Sequence, residues 1–371
     1  MNFVKILHCA DIHIGAKESF LGVNAEPRRF ETLITFEKII DIAKQNSVDI
    51  VAIAGDLFHS ANIESVFVDR VLSKIASVPQ IKVVYCAGNH DPLNATSPFK
   101  TRVLPENLYV LNTTDQCITF EDIKTRVYGR SFENAFLKGK ERFFINVPDD
   151  EYINIMVQHG ELKSDLNSSY NSITPEFIKS SGMDYIALGH VHKRTPVEKI
   201  GNTRFAYCGC PEGQGFDELD QKGIYIGTVS KAEANLEFLP TSYRNHILEK
   251  IDITNAQDIP ALILSALKEK YENFGENLYK IELTGTIPTS TVLNLAEITA
   301  RLSQDLYFVK VKDNTEFEID LEALAKETSL KGIFVKNMLA KMEQADDKEK
   351  YRKALNLGLK AFLTEVKYNE D

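Results

Sequence analysis

Five short polar clusters each follow an apolar run: Asp11-Ile12-His13, Gly55-Asp56-Leu57-Phe58-His59, Gly88-Asn89-His90-Asp91, Gln158-His159-Gly160 and Gly189-His190-Val191-His192. They hold six of the eight histidines and leave out only His8 and His246. A single histidine after a strand is ordinarily structural. Five such clusters, each at the end of an apolar run, are not explained that way. The donors are imidazole, carboxylate and one amide oxygen, a mixture that suits Mn²⁺, Fe²⁺ or Zn²⁺ rather than a thiolate zinc. Residues i and i+2 of an extended chain share a face, so Asp11 can converge with His13, and His190 with His192. The candidate ligands Asp11, His13, Asp56, Asn89, His159, His190 and His192 are more than one ion needs while keeping positions open for water and substrate. Two ions sharing a carboxylate fit better, and two metals roughly 3.5–4 Å apart form the clamp for in-line attack at phosphorus.

Such residues need a scaffold that brings distant loops together. Residues 3–10 read as a buried strand, Leu33, Phe36, Ile40 and Ala43 recur at helical spacing, and 49–54, 63–75 and 81–87 read as strand, helix and strand. This alternation predicts a layered α/β core, whose strand ends are where such sheets gather a site. Further strands are expected at 153–158, 185–188, 204–208 and 223–229. Beyond about residue 200 no long helices separate them, so the sheet should close with antiparallel hairpins. A second unit begins near Arg244. It reads as strands at 247–253, 278–283 and 307–311 with helices at 259–271 and 291–302, a small βαβαβ module. From 321 on, Leu330, Phe334, Met338 and Met342 share one helix face, and Tyr351, Leu355, Leu359, Phe362 and Val366 another, with 344–348 as the turn. These stripes either pack on the chain's own body or form a helical pair for a partner.

Composition narrows the class. Lys and Arg number 43 against 53 Asp and Glu, a net charge of −10, which argues against a basic nucleic-acid coat but not against an enzyme whose metal site is built from carboxylates. No stretch approaches the roughly 20 apolar residues of a membrane helix, and the opening residues carry charge inside their apolar run, so neither a membrane span nor a signal peptide is read. Five irregularly spaced cysteines point to a reducing cytoplasm, with Cys208 and Cys210 as small loop residues rather than a redox pair. Low-complexity tracts and repeats of 20–50 residues are absent from the sequence.

Taken in order, the five clusters resemble the motif set of the calcineurin-like metallophosphoesterase superfamily over residues 1–230. The finer resemblance is to its DNA-repair exonuclease branch, which holds the SbcD nuclease subunit, meiotic-recombination nucleases and YhaO-type exonucleases. It is carried by the opening Leu7-His8-Cys9-Ala10-Asp11-Ile12-His13-Ile14-Gly15, by Gly55-Asp56-Leu57-Phe58-His59, and by the segment from Tyr207-Cys208-Gly209-Cys210-Pro211-Glu212-Gly213 to Lys222-Gly223. The resemblance implies a layered β-sandwich core flanked by helices (1–243), a small α+β cap (244–318) and C-terminal helices (319–371). It implies that Asp11, His13, Asp56 and His192 hold one ion and Asp56, Asn89, His159 and His190 the other, Mn²⁺ before Fe²⁺ or Zn²⁺. It makes His90 the acid–base residue and lets His59 seat the phosphodiester. Asp91 either orients His90 or caps the turn that follows. Protein phosphatases of the superfamily carry Gly-Asp-x-x-Asp-Arg-Gly; here His59 replaces the second Asp and the Arg that grips a monoester dianion is missing, which favours a diester.

Phosphate contacts need cations even on an acidic chain. Lys17, Arg28 and Arg29 follow the first cluster, and Lys193 and Arg194 the last; Lys100, Arg102, Arg126 and Arg130 follow the middle ones. Residues 324–371 carry ten basic and eight acidic residues, or +2, so the remainder stands at −12. The expected function is therefore a two-metal DNA exonuclease or endonuclease subunit acting on DNA ends. The resemblance implies an SbcC-like coiled-coil ATPase docked on the C-terminal helices, and a homodimer through helices near 63–75 and 97–103. Two rival readings are a cyclic-nucleotide phosphodiesterase on the same core, and a non-catalytic DNA-end tether.

Overall fold

The computed structural model describes residues 2–137 and 147–363. The chain divides into two compact units, Met1–Asn245 and His246–Asp371. In chain order the first unit carries β1 (Phe3–Cys9), α1 (Ala25–Gln45), β2 (Ile50–Ala54), α2 (Ser65–Ala76), β3 (Lys82–Cys86), α3 (Pro98–Thr101), β4 (Leu108–Val110), β5 (Gln116–Phe120), β6 (Thr125–Gly129) and β7 (Ile153–His159). A two-residue pair follows, β8 (Glu161–Leu162) and β9 (Ser172–Ile173), then α4 (Pro175–Ser180), β10 (Tyr185–Gly189), β11 (Glu198–Ile200), β12 (Thr203–Tyr207), β13 (Gly223–Ser230) and β14 (Ala234–Pro240).

Two six-stranded sheets result, ordered β14-β13-β1-β2-β3-β4 and β11-β12-β10-β7-β6-β5. β1 to β4 are parallel, as are β6, β7, β10 and β12. The outer strands β5, β11, β13 and β14 pair antiparallel, so the hairpins expected after residue 200 are there as β11–β12 and β13–β14. Alternation along each strand separates two cores. In β1, Leu7 and Cys9 face α1 and α2, where Phe36, Ile40, Phe67 and Val71 cover them. Val4 and Ile6 face the other way and meet Ile155, Val157, Tyr185 and Ala187 of the second sheet. The outer face of that sheet, with Met156, Ile186 and Phe205, is covered by Ile178 of α4. The layers run helix, sheet, sheet, helix, the sandwich that the resemblance implies. Because β1, β2, β3, β7 and β10 are parallel within their sheets, their C-terminal ends deliver the five polar clusters to one edge.

The second unit holds β15 (His246–Asp252), α5 (Ile259–Lys270), β16 (Leu278–Thr284), β17 (Thr286–Ile287), α6 (Leu295–Leu302), β18 (Phe308–Asp313), β19 (Glu316–Phe317), α7 (Leu321–Leu324), α8 (Leu330–Gln344) and α9 (Lys348–Leu363). β15, β16 and β18 form the parallel sheet of the expected βαβαβ module. Its second helix starts at 295 rather than 291, because the Asn294 side chain caps it by accepting from the Glu297 N–H. The expected turn joins α8 and α9, and Leu324, Val335, Leu355 and Leu359 form their core. α9 is tied to the strands by Arg352 on Glu316, Asn356 on the Thr315 carbonyl and Lys360 on Asp313. Packing on the chain's own body thus takes up part of both stripes, while Leu330 and Phe362 stay exposed. Val366 lies outside the described residues.

Candidate metal centre

The local backbone explains how the clusters turn inward. Asp11, His13, Asp56 and His190 all have positive φ, at 52°, 49°, 49° and 96°. L-residues adopt this region at a cost of about 1–3 kcal/mol each, and it persists only where surrounding structure holds it. Here the holding is done by hydrogen bonds between clusters. Asp11 and His13 donate their N–H groups to the carbonyls of Gly55 and Asp56, each at 3.0 Å. The Asp11 carboxylate accepts from the His190 N–H at 2.9 Å, and that of Asp56 from the His90 N–H at 2.9 Å. Gly189 permits a close approach of the two sheets, since a Cβ there would stand 1.8 Å from the Ala54 carbonyl oxygen.

All seven expected ligands meet at this edge, in two adjoining groups. In the first, Nε2 of His13 and Nε2 of His192 are 3.1 Å apart, and Asp11 joins them. In the second, the Asn89 amide oxygen lies 2.9 Å from His159 Nε2 and 3.2 Å from His190 Nδ1. Asp56 stands between the groups, 3.8 Å from His13 and 3.4 Å from His159. Donors bound about 2.1 Å from an ion in adjacent positions lie about 3 Å apart, so these separations fit divalent ions held by the residues present. Outer partners fix the rings: His159 Nδ1 is 2.9 Å from the Ala54 carbonyl, and His192 Nδ1 is 2.6 Å from Glu218. Glu161 stands 3.6 Å from His190 Nε2. Sequence reasoning missed both glutamates. Glu161 adjoins the Gln158-His159-Gly160 cluster, a signal that could have been used; Glu218 sits in a loop with none.

Electrostatics follow from burial and proximity. Burial drives the His13 imidazole well below its usual range, and burial with the neighbouring His159 takes His190 down to about 4. Burial also opposes charge on His159, but Asp56 and Asp11 overcome it and raise that imidazole to about 9. Burial raises Asp11 to about 6, whereas at Asp56 the histidines His159 and His13 outweigh burial and hold the carboxylate well below its usual range. A metal ligand must be unprotonated. With its imidazole raised to about 9, metal-free His159 should keep its proton at pH 7; if it is a ligand, loading with Mn²⁺ should release roughly one proton from it, with affinity rising as pH climbs towards 9. Titration calorimetry in buffers of different ionisation enthalpy checks this, and heats independent of the buffer would overturn it.

His90 is exposed, and its Nδ1 lies 3.1 Å from the His59 carbonyl; the two rings stack at 5.4 Å. Asp91 is corrected as an orienting group: it is buried and accepts from the N–H groups of Gly88 and Phe58, at 3.0 and 2.9 Å. It closes the turn before it, from Gly88, rather than the turn that follows, and ties the second cluster to the third.

Of the expected phosphate contacts, Lys17, Lys193 and Arg194 are exposed, Arg194 lying over the Phe238 ring at 4.0 Å. Arg28 is corrected. It has no exposed surface, and its guanidinium is shared by Glu18, Glu31 and Glu212 at 2.8–2.9 Å. Arg29 is engaged by Gly15, Glu26 and Glu64. Arg102 and Arg126 are paired with Asp69 and Asp150, and Arg130 is buried beside Asp115. All five cysteines are free thiols, and among the described residues no helix is long and apolar enough to cross a membrane.

The chain is 28% identical over 275 residues to the uncharacterized metallophosphoesterase YhaO of Bacillus subtilis, a match covering 69% of this chain and 65% of that protein. It is 26% identical to the DNA double-strand break repair protein Mre11 of Methanopyrus kandleri, covering 60% and 52%, and 24% identical to Mre11 of Sulfolobus acidocaldarius, covering 77% and 76%. The chain thus spans about half to two thirds of the length of the first two relatives. The model of the calcineurin-like phosphoesterase family matches residues 4–194, the segment that carries every one of the seven candidate ligands, and the chain belongs to that family.

Proposed function

We propose that this protein is a two-metal phosphodiesterase that hydrolyses DNA at its ends, as an exonuclease or endonuclease subunit in cytoplasmic DNA repair or recombination. The observation that carries this reading is Asp56, placed between two groups of imidazole and oxygen donors with His13 on one side and His159 on the other. Two divalent ions, Mn²⁺ first, would lower the pKa of water and neutralise charge gathering at phosphorus. Asp11, His13, Asp56 and His192 would hold one, and Asp56, Asn89, His159 and His190 the other. His90, exposed and braced by the His59 carbonyl, would protonate the departing sugar oxygen, an effect worth about 10²–10⁴-fold. His59 would help to seat the phosphodiester, and Lys17, Lys193 and Arg194 would meet backbone phosphates.

The net charge of −10 leaves little autonomous DNA affinity, which supports a partner, an SbcC-like coiled-coil ATPase. The exposed Leu330, Ile333, Leu357 and Phe362 of α8 and α9 support docking there. Exposed Val66 and Val103 support a homodimer through α2 and the segment after α3.

The test is Mn²⁺-dependent release of nucleotides from linear DNA compared with cleavage of cyclic nucleotides. Linear DNA should be the better substrate, and His90→Ala should lose about 10²–10⁴-fold on it. A preference for cyclic nucleotides, or a His90→Ala protein as fast as wild type, would sink the proposal.

A further inference from the structure

Glu218 belongs to none of the five clusters, yet its loop is arranged around it. One carboxylate oxygen meets Nδ1 of His192 at 2.6 Å. The other accepts from the Gln214 N–H at 3.2 Å and from the Cys210 thiol at 3.4 Å. The Lys222 ammonium stands 3.6 Å from the same carboxylate and donates to the His192 carbonyl at 3.2 Å, so one lysine grips both residues. The start of the loop is anchored separately. Buried Glu212 accepts from the Thr35 hydroxyl, the Arg28 guanidinium and the Tyr243 N–H. The carboxylate is therefore fixed by its own loop before it meets the imidazole.

We propose that Glu218 is the positioning residue of the His192 half of the metal centre. An unsupported imidazole can rotate and can carry its proton on either nitrogen. With the Nδ1 proton held by Glu218, the Nε2 lone pair is left facing the His13 Nε2 at 3.1 Å, so that both imidazoles would be free to hold one ion. The other half has its own supports, the Ala54 carbonyl for His159 and Glu161 for His190. Glu218 thus bears first on the affinity of the ion that His13 and His192 would hold. The assignment rests on the two-metal reading above.

The experiment uses the full chain, stripped of metal and titrated with Mn²⁺, with bound metal measured by equilibrium dialysis and the spectrum by electron paramagnetic resonance. Wild type should take up two ions and show the broadened signal of a close pair. In Glu218→Ala one ion should bind about 10–100-fold more weakly. At the same loading its spectrum should keep the resolved hyperfine pattern of an isolated Mn²⁺. Glu218→Gln can still accept from the Nδ1 proton, should show a smaller loss confined to the same ion, and carries the test where the alanine variant does not fold. Variants that bind both ions as wild type does, or weaken both equally, overturn the assignment while the two-metal reading stands. A wild-type chain that never takes up two ions overturns that reading and the assignment with it.

Discussion

Replacing Asp56 with asparagine is expected to slow DNA hydrolysis by about 10³-fold, the rate equivalent of roughly 4 kcal/mol, while the protein stays folded. Asparagine suits the test because it is isosteric and, like aspartate, tolerates the left-handed backbone found at this position. Its amide oxygen can still accept from the His90 N–H, so the third cluster keeps its anchor. What is lost is the carboxylate charge that stands between His13 and His159, and with it the charge that a shared ligand would supply. Metal-free Asp56→Asn should also lose the raised pKa of His159, because Asp56 is the strongest of the charges opposing its desolvation. NMR titration of that imidazole reads this directly. A variant that cuts linear DNA within tenfold of wild type would remove Asp56 from the bridging role.

The scaffold was legible because its periods are clean. The apolar run at 3–10 reads as a buried strand, and the structure buries Leu7 and Cys9 on one face and Val4 and Ile6 on the other; the helical recurrence of Phe36 and Ile40 marks α1. The site was legible because the candidate ligands sit at strand ends, where a few residues of sequence hold several donors. What lay beyond reach had no period or cluster behind it. The edge strands β5 and β14 are short or half-exposed and carry no continuous apolar run. Glu218 reaches His192 across 26 residues, through a loop whose path no local pattern encodes. Asp91 stands next to His90 in sequence but turns to the backbone of Phe58 and Gly88, because a buried carboxylate is drawn to unpaired N–H groups. Arg28 and Arg29 are neighbours of the same type, and only the burial of α1 tells the first from a phosphate-binding cation.

Arg28 therefore makes the largest stability prediction. Its guanidinium is wholly buried and shared by Glu18, Glu31 and Glu212, while Arg244 also reaches Glu31. Removing one member of such a cluster leaves charges buried without compensation, and Arg28→Ala should cost about 3–5 kcal/mol in urea-induced unfolding of the full chain. The exposed pair Arg70–Glu37 on α2 and α1, broken by Arg70→Ala, should cost roughly 0.2–1 kcal/mol. Burial already pushes the Glu212 carboxyl up against the pull of Arg28. Without the guanidinium it should rise further and take up a proton at mildly acidic pH, so the penalty should shrink as pH falls. Arg28→Lys should recover only part of the loss, because one ammonium cannot present a planar fork to three carboxylates. A phosphate-binding arginine would behave differently. Its removal would leave stability nearly unchanged and lower the salt dependence of DNA binding by about one counterion. A stability loss below about 1 kcal/mol together with a reduced salt slope would return Arg28 to the DNA-binding surface; a large loss with an unchanged slope places it in the frame that holds the loop carrying Glu218 against the metal centre.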